Sequence, residues 1–419
     1  MAVIRQVNGK YRVEFPRGKM IYESEHPLHF LRISPRGSAV ALGETEGVDG
    51  DAGWALAIDR NGKQLMRSAT YVSMEGVAWS PSGEEMWVAG TLREAWADAI
   101  HAIGLNGKDR IVLRLPSILR LHDVSRDGRI LLTKESWRSG IQFRGEKNAK
   151  ERDLSWLDYA ELRDLSADGA QVVFDDWGSA AGPSGLAYVR KSDGSPAIKL
   201  GTWSLPTISP DSTQVLAFDA TAVGTSHPVL IPTGTGEPRM LTSAVVQQSN
   251  AMGFMPDQKA VYFANDDGHG RRMYVQDIAG GTARAVTPVI SVRTHYFESH
   301  LVSPDGKLMF ARDLSGKGVL YPIAGGDSRL LPGWQPEDLW ITWSTGGRSA
   351  YVYQDEKTSA PVYRIDLATG KRELVTTLAP SDSDGVTSIV SVRMTADGKT
   401  YAYSFTRELS DLFIVTGVR

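Results

Sequence analysis

"SPDGKLMFARD", residues 303–313, carries the pattern that decides the fold. Pro304 fixes the φ angle that the second position of a type I turn requires, Asp305 suits the third position, and Gly306 closes the turn. The run from Leu308 to Ala311 is rich in apolar residues and predicts a strand that leaves the turn. Because one such turn specifies no function, its meaning depends on whether it recurs.

Related turns recur along the whole chain, at intervals of 41 to 51 residues. They begin at Ser34, Ser80, Ser125, Ser166, Ser209, Met255, Ser303, Ser344 and Thr395. An apolar residue precedes each turn. A second turn follows about 22 to 27 residues later in most repeats, at Asn61-Gly62, Asn106-Gly107, Asp193-Gly194, Gly280-Gly281, Gly325-Gly326 and Thr369-Gly370. Each repeat therefore predicts four short antiparallel strands, which is the period of a blade in an all-β β-propeller.

Composition narrows the function classes. The chain has 419 residues, a formal net charge of -3 and no cysteine. A mildly acidic surface does not favour binding to nucleic acid or to anionic membranes. The lack of cysteine excludes disulfides and metal sites with cysteine ligands. No apolar run approaches the ~20 residues that cross a bilayer. Since charges at Arg5 and Lys10 interrupt any signal peptide, the chain as written is expected to be cytoplasmic, or extracytoplasmic if it is a fragment of a membrane receptor.

The repeat resembles the TolB-like and WD-repeat-like β-propeller superfamily, whose loose signature is SPDGK followed by an apolar strand. More specific stretches are similar to the C-terminal sensory propeller of bacterial transmembrane serine/threonine kinases. They are "EFPRGKMIYES" (14–24), "RDGRILLTKESWRSG" (126–140), "ERDLSWLD" (151–158), "YRIDLATGKREL" (363–374) and "LSDLFIVTGVR" (409–419).

The chain departs from that kinase family in its catalytic half. It has no glycine-rich phosphate loop, strand lysine, HRD-type loop or DFG motif. The resemblance therefore implies a sensor without its enzyme, with a kinase domain in cis in longer relatives. Family members usually carry further repeats upstream, so the chain is expected to be a fragment or a detached paralogue.

Other catalytic and metal-binding patterns are weak. "GPSG" at 182–185 lacks the residue that a GxSxG nucleophile elbow needs. His295 and His300 lie close together in sequence and are the pair of histidines considered as metal ligands. Alternation of side chains along a strand places them on opposite faces. The acidic loops at 44–51 and 381–385 lack the full calcium-binding pattern. We expect no catalytic residue, no metal and no cofactor.

The residues two positions before each turn are the most informative candidates for a binding site. They are Arg32, Ala78, Asp123, Asp164, Thr207, Gly253, Leu301, Thr342 and Arg393. Strand alternation predicts that these side chains point away from the blade interface, toward a central channel. Asp123 and Asp164 would then face Arg32 and Arg393, with His122 and His300 beside them, and would bind a small polar or zwitterionic ligand or a loop of a protein partner. The alternative is that each charge pairs locally between blades.

Two organisations and two functions remain open. One ring could span residues 1–419, closed by N-terminal strands that complete the last blade. Alternatively, a partial propeller (1–157) precedes a six-bladed TolB-like propeller (159–419). The favoured function is a non-catalytic sensor or binding module. The alternative is a propeller-fold enzyme of lyase or lactonase type with a metal in its channel.

Overall fold

The regular elements of the protein are β-strands. The structure, a computed structural model, describes residues 1–46, 52–92, 97–146, 150–178, 181, 185–219, 225–241, 246–247, 251–292, 297–356 and 358–418. Antiparallel sheets of mostly four strands succeed one another along these residues, which confirms the predicted all-β propeller class. Within the same ranges, no helix has the length and apolar character that spanning a bilayer requires.

The chain separates into two compact units. Unit 1 comprises Met1–Ser136 and Glu408–Arg419, and unit 2 comprises Trp137–Arg407. These bounds coincide neither with a single unit over 1–419 nor with the predicted division into 1–157 and 159–419. The number of blades stays a prediction.

Unit 1 contains a three-stranded sheet and two four-stranded sheets in sequence order, followed by the strand pair β12 and β13. Its strands are β1 (Val3–Val7), β2 (Lys10–Glu14) and β3 (Met20–Ser24); β4 (Leu28–Ile33), β5 (Ala39–Thr45), β6 (Gly53–Asp59) and β7 (Gln64–Arg67); β8 (Ser73–Trp79), β9 (Glu85–Thr91), β10 (Ala99–Gly104) and β11 (Asp109–Arg114); β12 (Ile118–Val124); and the first part of β13 (Ile130–Arg144).

Unit 2 repeats the same arrangement of antiparallel strands. Its strands are the rest of β13 with β14 (Arg152–Asp153); β15 (Ala160–Leu165), β16 (Gln171–Asp176), β17 (Leu186–Lys191) and β18 (Ile198–Gly201); β19 (Trp203–Ile208), β20 (Gln214–Asp219), β21 (Thr225–Ser226), β22 (Pro228–Pro232) and β23 (Arg239–Met240); β24 (Val246–Gln247), β25 (Met252–Phe254), β26 (Ala260–Asp266), β27 (Arg271–Asp277) and β28 (Arg284–Ala285); β29 (Leu308–Arg312), β30 (Gly318–Pro322) and β31 (Arg329–Leu330); β32 (Leu339–Trp343), β33 (Ser349–Tyr353), β34 (Ala360–Asp366) and β35 (Arg372–Leu378); and β36 (Val386–Met394) with the first part of β37 (Tyr401–Val415). The rest of β37, from residue 408, belongs to unit 1.

The N-terminal strands do not complete the last blade, so that expectation is wrong. β1, β2 and β3 form a sheet of their own, and the neighbours of β37 are β13 and β36. The physical reason is the apolar face of the N-terminal sheet. Val13, Phe15 and Ile21 are buried in one cluster with Leu42 and Leu56 of the following sheet, so their apolar surface is already covered there.

The turns that suggested the fold are held by a recurring hydrogen-bond pattern. In the turn at Ser303, the serine hydroxyl donates to Asp305 at 2.6 Å and accepts the N–H of Leu308 at 2.9 Å. The N–H of Gly306 donates to the carbonyl of Ser303 at 2.8 Å. The hydroxyl bond holds the pKa of Asp305 below its usual value, as it does for Asp397 in the last repeat. These carboxylates therefore serve the blade turn, as the repeat predicts.

The second set of turns connects the third and fourth strands of the sheets, as predicted. Their glycines adopt the left-handed conformation, for example Gly62 with φ 86° between β6 and β7 and Gly194 with φ 92° between β17 and β18. The outermost strands differ in length, from two residues in β28 to seven in β35. β23, β28 and β31 have two residues each, which limits the exposed backbone at the blade edge.

Residues directly before the turns pack between neighbouring sheets. Trp79 and Trp343 are buried, and their indole N–H groups donate to the carbonyls of Arg32 and Leu301 in the preceding repeat, both at 3.1 Å. The exceptions are Ile33, which is 42 % exposed, and Val124, which is half-buried. The inter-blade role that the sequence predicted for this position therefore holds for the buried members of the set.

Candidate functional site

The six residues predicted to line a channel divide between the two units. Arg32, His122 and Asp123 belong to unit 1, whereas Asp164, His300 and Arg393 belong to unit 2. Each group of three residues therefore has its own environment. The two groups differ in how many of their polar side-chain atoms form hydrogen bonds within the protein.

Asp164 is an internal cross-link of unit 2. Its side chain is completely buried. Oδ1 accepts the N–H of Leu165 at 2.8 Å and lies 2.5 Å from Nε2 of His300. Oδ2 accepts the hydroxyl of Thr207 at 2.5 Å and the N–H of Ile208 at 3.1 Å. Since both oxygens are used within the protein, the expectation that Asp164 binds a ligand does not hold.

The charge state of Asp164 follows from this environment. Burial alone would raise the pKa of the carboxyl, whereas the charge of His300 and its hydrogen bond lower it. Arg393 and the hydroxyl of Thr207 add to the same effect. The pKa of Asp164 therefore lies below its ordinary value, and the group is an ionised structural carboxylate at neutral pH.

His300 is held by its backbone as well as by Asp164. Its φ of 55° lies in the left-handed region, which a non-glycine residue seldom adopts. Its carbonyl accepts the indole N–H of Trp340 at 3.1 Å, and the N–H of Leu301 donates to the hydroxyl of Tyr262 at 2.9 Å. These bonds stabilise the segment in the conformation that brings the imidazole to Asp164, so His300 acts in the same cross-link.

Arg393 is likewise structural. It is 3 % exposed, and its guanidinium donates to the carbonyls of Arg163 at 2.6 Å, Val392 at 2.8 Å and Phe297 at 2.9 Å. Burial lowers the pKa of Arg393, while the charge of Asp164 opposes that shift. Arg393 thus ties three backbone segments together, and the expected ligand contact does not hold for it.

Arg163 has partners that the sequence did not reveal. Its Nε donates to Asp175 at 2.8 Å, and its two terminal nitrogens donate to Glu161 at 2.9 and 2.8 Å. Burial raises the pKa of Glu161, although the charge of Arg163 opposes this. Glu161 lies two residues away on β15, and this short spacing is a signal that sequence reasoning could have used.

A neighbouring carboxylate, Asp176 at the end of β16, is buried without a complete set of partners. Oδ1 accepts the N–H of Gly178 at 3.0 Å, whereas Oδ2 has no hydrogen-bond partner among the described residues. Burial is the main cause that raises the pKa of Asp176, to about 6, and the charge of Asp158 adds to it. The group therefore changes protonation state near neutral pH.

Unit 1 contains an open cavity of about 430 Å³ at two of the predicted residues. It is lined by Met1, Ala2, Leu31, Arg32, Ile33, Pro35, Trp79, Asp123, Val124 and Arg126. The lining therefore combines two guanidinium groups and one carboxylate with an indole ring and apolar side chains. Its volume lies within the range of small-molecule sites, and mostly apolar walls with a few polar groups are typical of them.

Arg32 is a fixed part of the cavity wall. Its Nη2 and Nε donate to the carbonyl of His122 at 2.7 and 3.2 Å, and Nη1 donates to the carbonyl of Leu31 at 3.0 Å. The ring of His122 bonds instead to the hydroxyl of Thr133. His122 does not line this cavity, and its backbone carbonyl holds Arg32 in place. Ligand binding by its imidazole stays a prediction.

Asp123 and Arg126 are the polar groups of the cavity with free capacity. Asp123 is exposed, and its Oδ1 accepts the N–H of Val124 at 2.8 Å. Across the part of the chain that the structure describes, no hydrogen bond engages Oδ2 of Asp123, and no hydrogen bond or ion pair engages the exposed side chain of Arg126. Arg126 belongs to the turn itself and was not among the predicted site residues, because only positions before the turns were considered.

A β-bulge lies next to the predicted position in both β12 and β15. The register shifts between Leu121 and Asp123 in β12, and between Leu162 and Asp164 in β15. A bulge redirects the side chains that follow it. Simple alternation of side chains along the strand therefore does not give the orientation of these two residues. The side chain of Asp123 is exposed, and that of Asp164 is buried.

Of the remaining residues that the sequence suggested for a functional site, some have structural roles and others lie outside the described residues. Glu44 is buried and accepts the hydroxyls of Tyr22 and Ser24, both at 2.6 Å. Within the described ranges, no group of three or more metal-ligating side chains could hold a metal ion. His295, Asp49, Asp51 and positions 182–184 of the GPSG string lie outside the described residues.

Comparison with known proteins gives structural similarity only. No protein-family model and no curated protein matches the chain. It is similar to the TolB candidate of Agrobacterium tumefaciens (18 % identity, 65 % of this chain and 99 % of the other, TM-score 0.47). It is also similar to TolB of Acinetobacter baumannii (12 % identity, 91 % and 81 % coverage, TM-score 0.39) and to an oligogalacturonate lyase in complex with manganese (16 % identity, 77 % and 95 % coverage, TM-score 0.33).

Proposed function

We propose that the protein is a non-catalytic recognition module that binds a small zwitterionic molecule in the cavity of unit 1. The observation that supports this proposal is the pairing of an unengaged guanidinium, on Arg126, with an unengaged carboxylate oxygen, on Asp123, in one cavity. The two groups carry opposite charges, as do the two ends of a zwitterion.

The chemistry of the lining defines the ligand class. Arg126 presents a planar set of donors that suits a carboxylate, and Oδ2 of Asp123 accepts from an ammonium group. Leu31, Ile33 and Trp79 provide apolar contact surface beside them. A free amino acid with an apolar side chain fits this combination, and the rigid backbone contacts of Arg32 keep the wall in place without a change of conformation.

Isothermal titration with three probes of similar shape tests the proposal. L-Leucine carries both charged groups, 4-methylpentanoate lacks the ammonium and 3-methylbutylamine lacks the carboxylate. We expect saturable binding of leucine and binding of each single-charge probe that is about tenfold weaker or more, because each lost charge-assisted hydrogen bond contributes about 1.5 kcal/mol or more.

Variants locate the binding. Arg126→Ala should reduce the affinity for leucine and leave that for 3-methylbutylamine nearly unchanged, whereas Asp123→Asn should have the opposite selectivity. Arg36→Ala is the matched control, because Arg36 is an exposed arginine close to the cavity that does not line it. Equal loss in all three variants, or equal binding of all three probes, would contradict the proposal.

We also propose that this recognition serves a serine/threonine kinase signalling system. The support is the similarity of stretches such as 126–140 and 363–374 to kinase-associated sensory propellers. The test is the coding sequence next to this chain in its genome. A kinase domain with a membrane segment upstream is expected, and neighbours without any signalling domain would argue against this role.

A further inference from the structure

The last part of β37, residues 408–415 of unit 1, has one edge without a neighbouring strand. β13 lies on one side of β37 in the sheet. On the other side, β36 pairs only with residues 401–407, from Tyr401 opposite Met394 to Arg407 opposite Val386. Within the described part of the chain, no backbone hydrogen bond from a loop covers the edge of residues 408–415 either. This edge therefore presents unpaired N–H and C=O groups.

Large apolar side chains are exposed on both faces of the same stretch. Leu409 is 43 % exposed and Phe413 44 %, whereas Leu412 is 67 % and Ile414 65 % exposed. Residues two or four apart in a strand share a face, so each face carries two of these side chains. An exposed apolar edge is a site where another strand adds, and proteins usually shorten, charge or cover such edges. The two-residue outer strands of unit 2 show that contrast within this chain.

We propose that residues 408–415 bind an extended peptide of a protein partner by strand addition, and that this peptide alternates apolar with basic residues. The backbone edge would supply the hydrogen bonds, and the exposed apolar side chains would contact alternate residues of the peptide. Glu408 and Asp411 provide the charge preference. Within the described residues, no ion pair engages either carboxylate, so a lysine or arginine of the peptide is the complementary group.

A second copy of this chain fits the edge less well than a basic peptide. Antiparallel pairing of two identical edges would bring Glu408 and Asp411 of both copies into one short sheet, and residues 408–415 contain no basic side chain that could pair with these four carboxylates. Like charges across neighbouring strands destabilise the pairing. The charge of the edge therefore favours a different chain with basic residues.

Fluorescence anisotropy with the full chain and labelled synthetic nonapeptides tests the proposal. The probe alternates lysine and valine, and a second peptide alternates glutamate and valine. A third peptide has the sequence of the first but carries N-methyl groups on alternate residues, which remove the hydrogen bonds of one strand edge. We expect saturable binding of the first peptide and binding of the other two that is about tenfold weaker or more.

A charge-reversal variant tests the location of the site. Glu408→Lys combined with Asp411→Lys should weaken binding of the lysine–valine peptide about tenfold or more. Glu84→Lys combined with Asp327→Lys is the matched control, because it changes the net charge equally at two other exposed positions. It should leave the affinity within about twofold of the original protein. Unchanged melting temperatures would show that both variants remain folded.

Three outcomes would overturn the proposal. Equal binding of the N-methylated peptide would mean attraction by charge without strand pairing. Equal loss in the control variant would place the binding elsewhere. Concentration-dependent dimers in light scattering that disappear in the Glu408→Lys, Asp411→Lys variant would show that a second copy covers the edge. None of these results depends on the cavity of unit 1.

Discussion

The fourth residue of each blade turn adopts a left-handed conformation, whether or not it is glycine. Gly306 has φ 72° and Gly398 has φ 76°, while Ser212 has φ 62° and Gln258 has φ 60° at the equivalent position. A side chain in this conformation brings Cβ close to the backbone, which costs about 1–2 kcal/mol per residue. The two repeats without glycine therefore carry a local cost that the glycine repeats avoid.

We expect Ser212→Gly to raise the free energy of unfolding. The gain should be roughly 0.5–1 kcal/mol, because the greater chain entropy of glycine in the unfolded state offsets part of the relieved strain. Denaturation in urea with an unchanged slope measures it. Gly306→Ser is the reciprocal variant and should lose a similar amount. A gain in both variants would mean that the conformation of the turn is not the controlling factor.

Two buried aspartates make stability depend on pH in opposite directions. The pKa of Asp164 is lower in the folded protein than in the unfolded chain, so its contribution is present above the unfolded value near 3.9 and is lost as the pH falls. The pKa of Asp176 is raised to about 6, so the folded protein holds this proton more tightly. Its contribution is complete below about pH 4 and is lost as the pH rises through 6.

Asp176→Asn separates the two effects. The neutral amide keeps an oxygen for the N–H of Gly178 and removes the buried charge. At pH 8 the variant should be more stable than the original protein by on the order of 1–2 kcal/mol, whereas at pH 4 the two should be nearly equal. Thermal unfolding over this pH range measures the difference. A stability gain that is the same at both pH values would contradict a raised pKa of Asp176.

At the scale of the elements, periodic patterns predicted the strands but not the orientation of their functional side chains. The turn sequences, and the apolar residues that precede them, are local signals in the sequence. The observed sheets and buried residues agree with these signals. The bulges in β12 and β15 leave no such signal, because they depend on how two strands pair. The contact between Asp164 and His300 joins residues 136 positions apart, which no local pattern could indicate.

Trp343→Phe should lower the free energy of unfolding by about 1–3 kcal/mol. The indole N–H donates to the carbonyl of Leu301, which also accepts the N–H of Phe310 at 2.8 Å. Phenylalanine would remove the bond from the indole and leave a gap at a buried contact between the repeats. Because β32 then has a weaker connection to the preceding repeat, hydrogen exchange should accelerate in β29 and β32. Exchange that accelerates equally in all sheets would indicate a global loss of stability instead of a local contact between repeats.

For the molecule as a whole, the N-terminal sheet is expected to stabilise unit 1 and not the last strands of unit 2. Deleting residues 1–24 removes the apolar contacts of Val13, Phe15 and Ile21 with the sheet β4–β7. Hydrogen exchange should therefore accelerate in β4–β6. Protection in β36 should change little, since β36 pairs with β37 and not with an N-terminal strand. Loss of protection confined to β36 would instead support closure of the last blade by the N-terminus.

The division of the chain into units also has a consequence for its synthesis on the ribosome. Unit 2 is one continuous segment, whereas unit 1 needs residues from both sides of it, Met1–Ser136 and Glu408–Arg419. The nascent chain must therefore carry the first segment of unit 1 without its final strand until residues 137–407 have been translated. Bringing these distant segments together costs loop entropy, which grows slowly with loop length. Unit 2 can become compact first, so a translation arrest shortly after residue 407 emerges should yield protease resistance in unit 2 before unit 1.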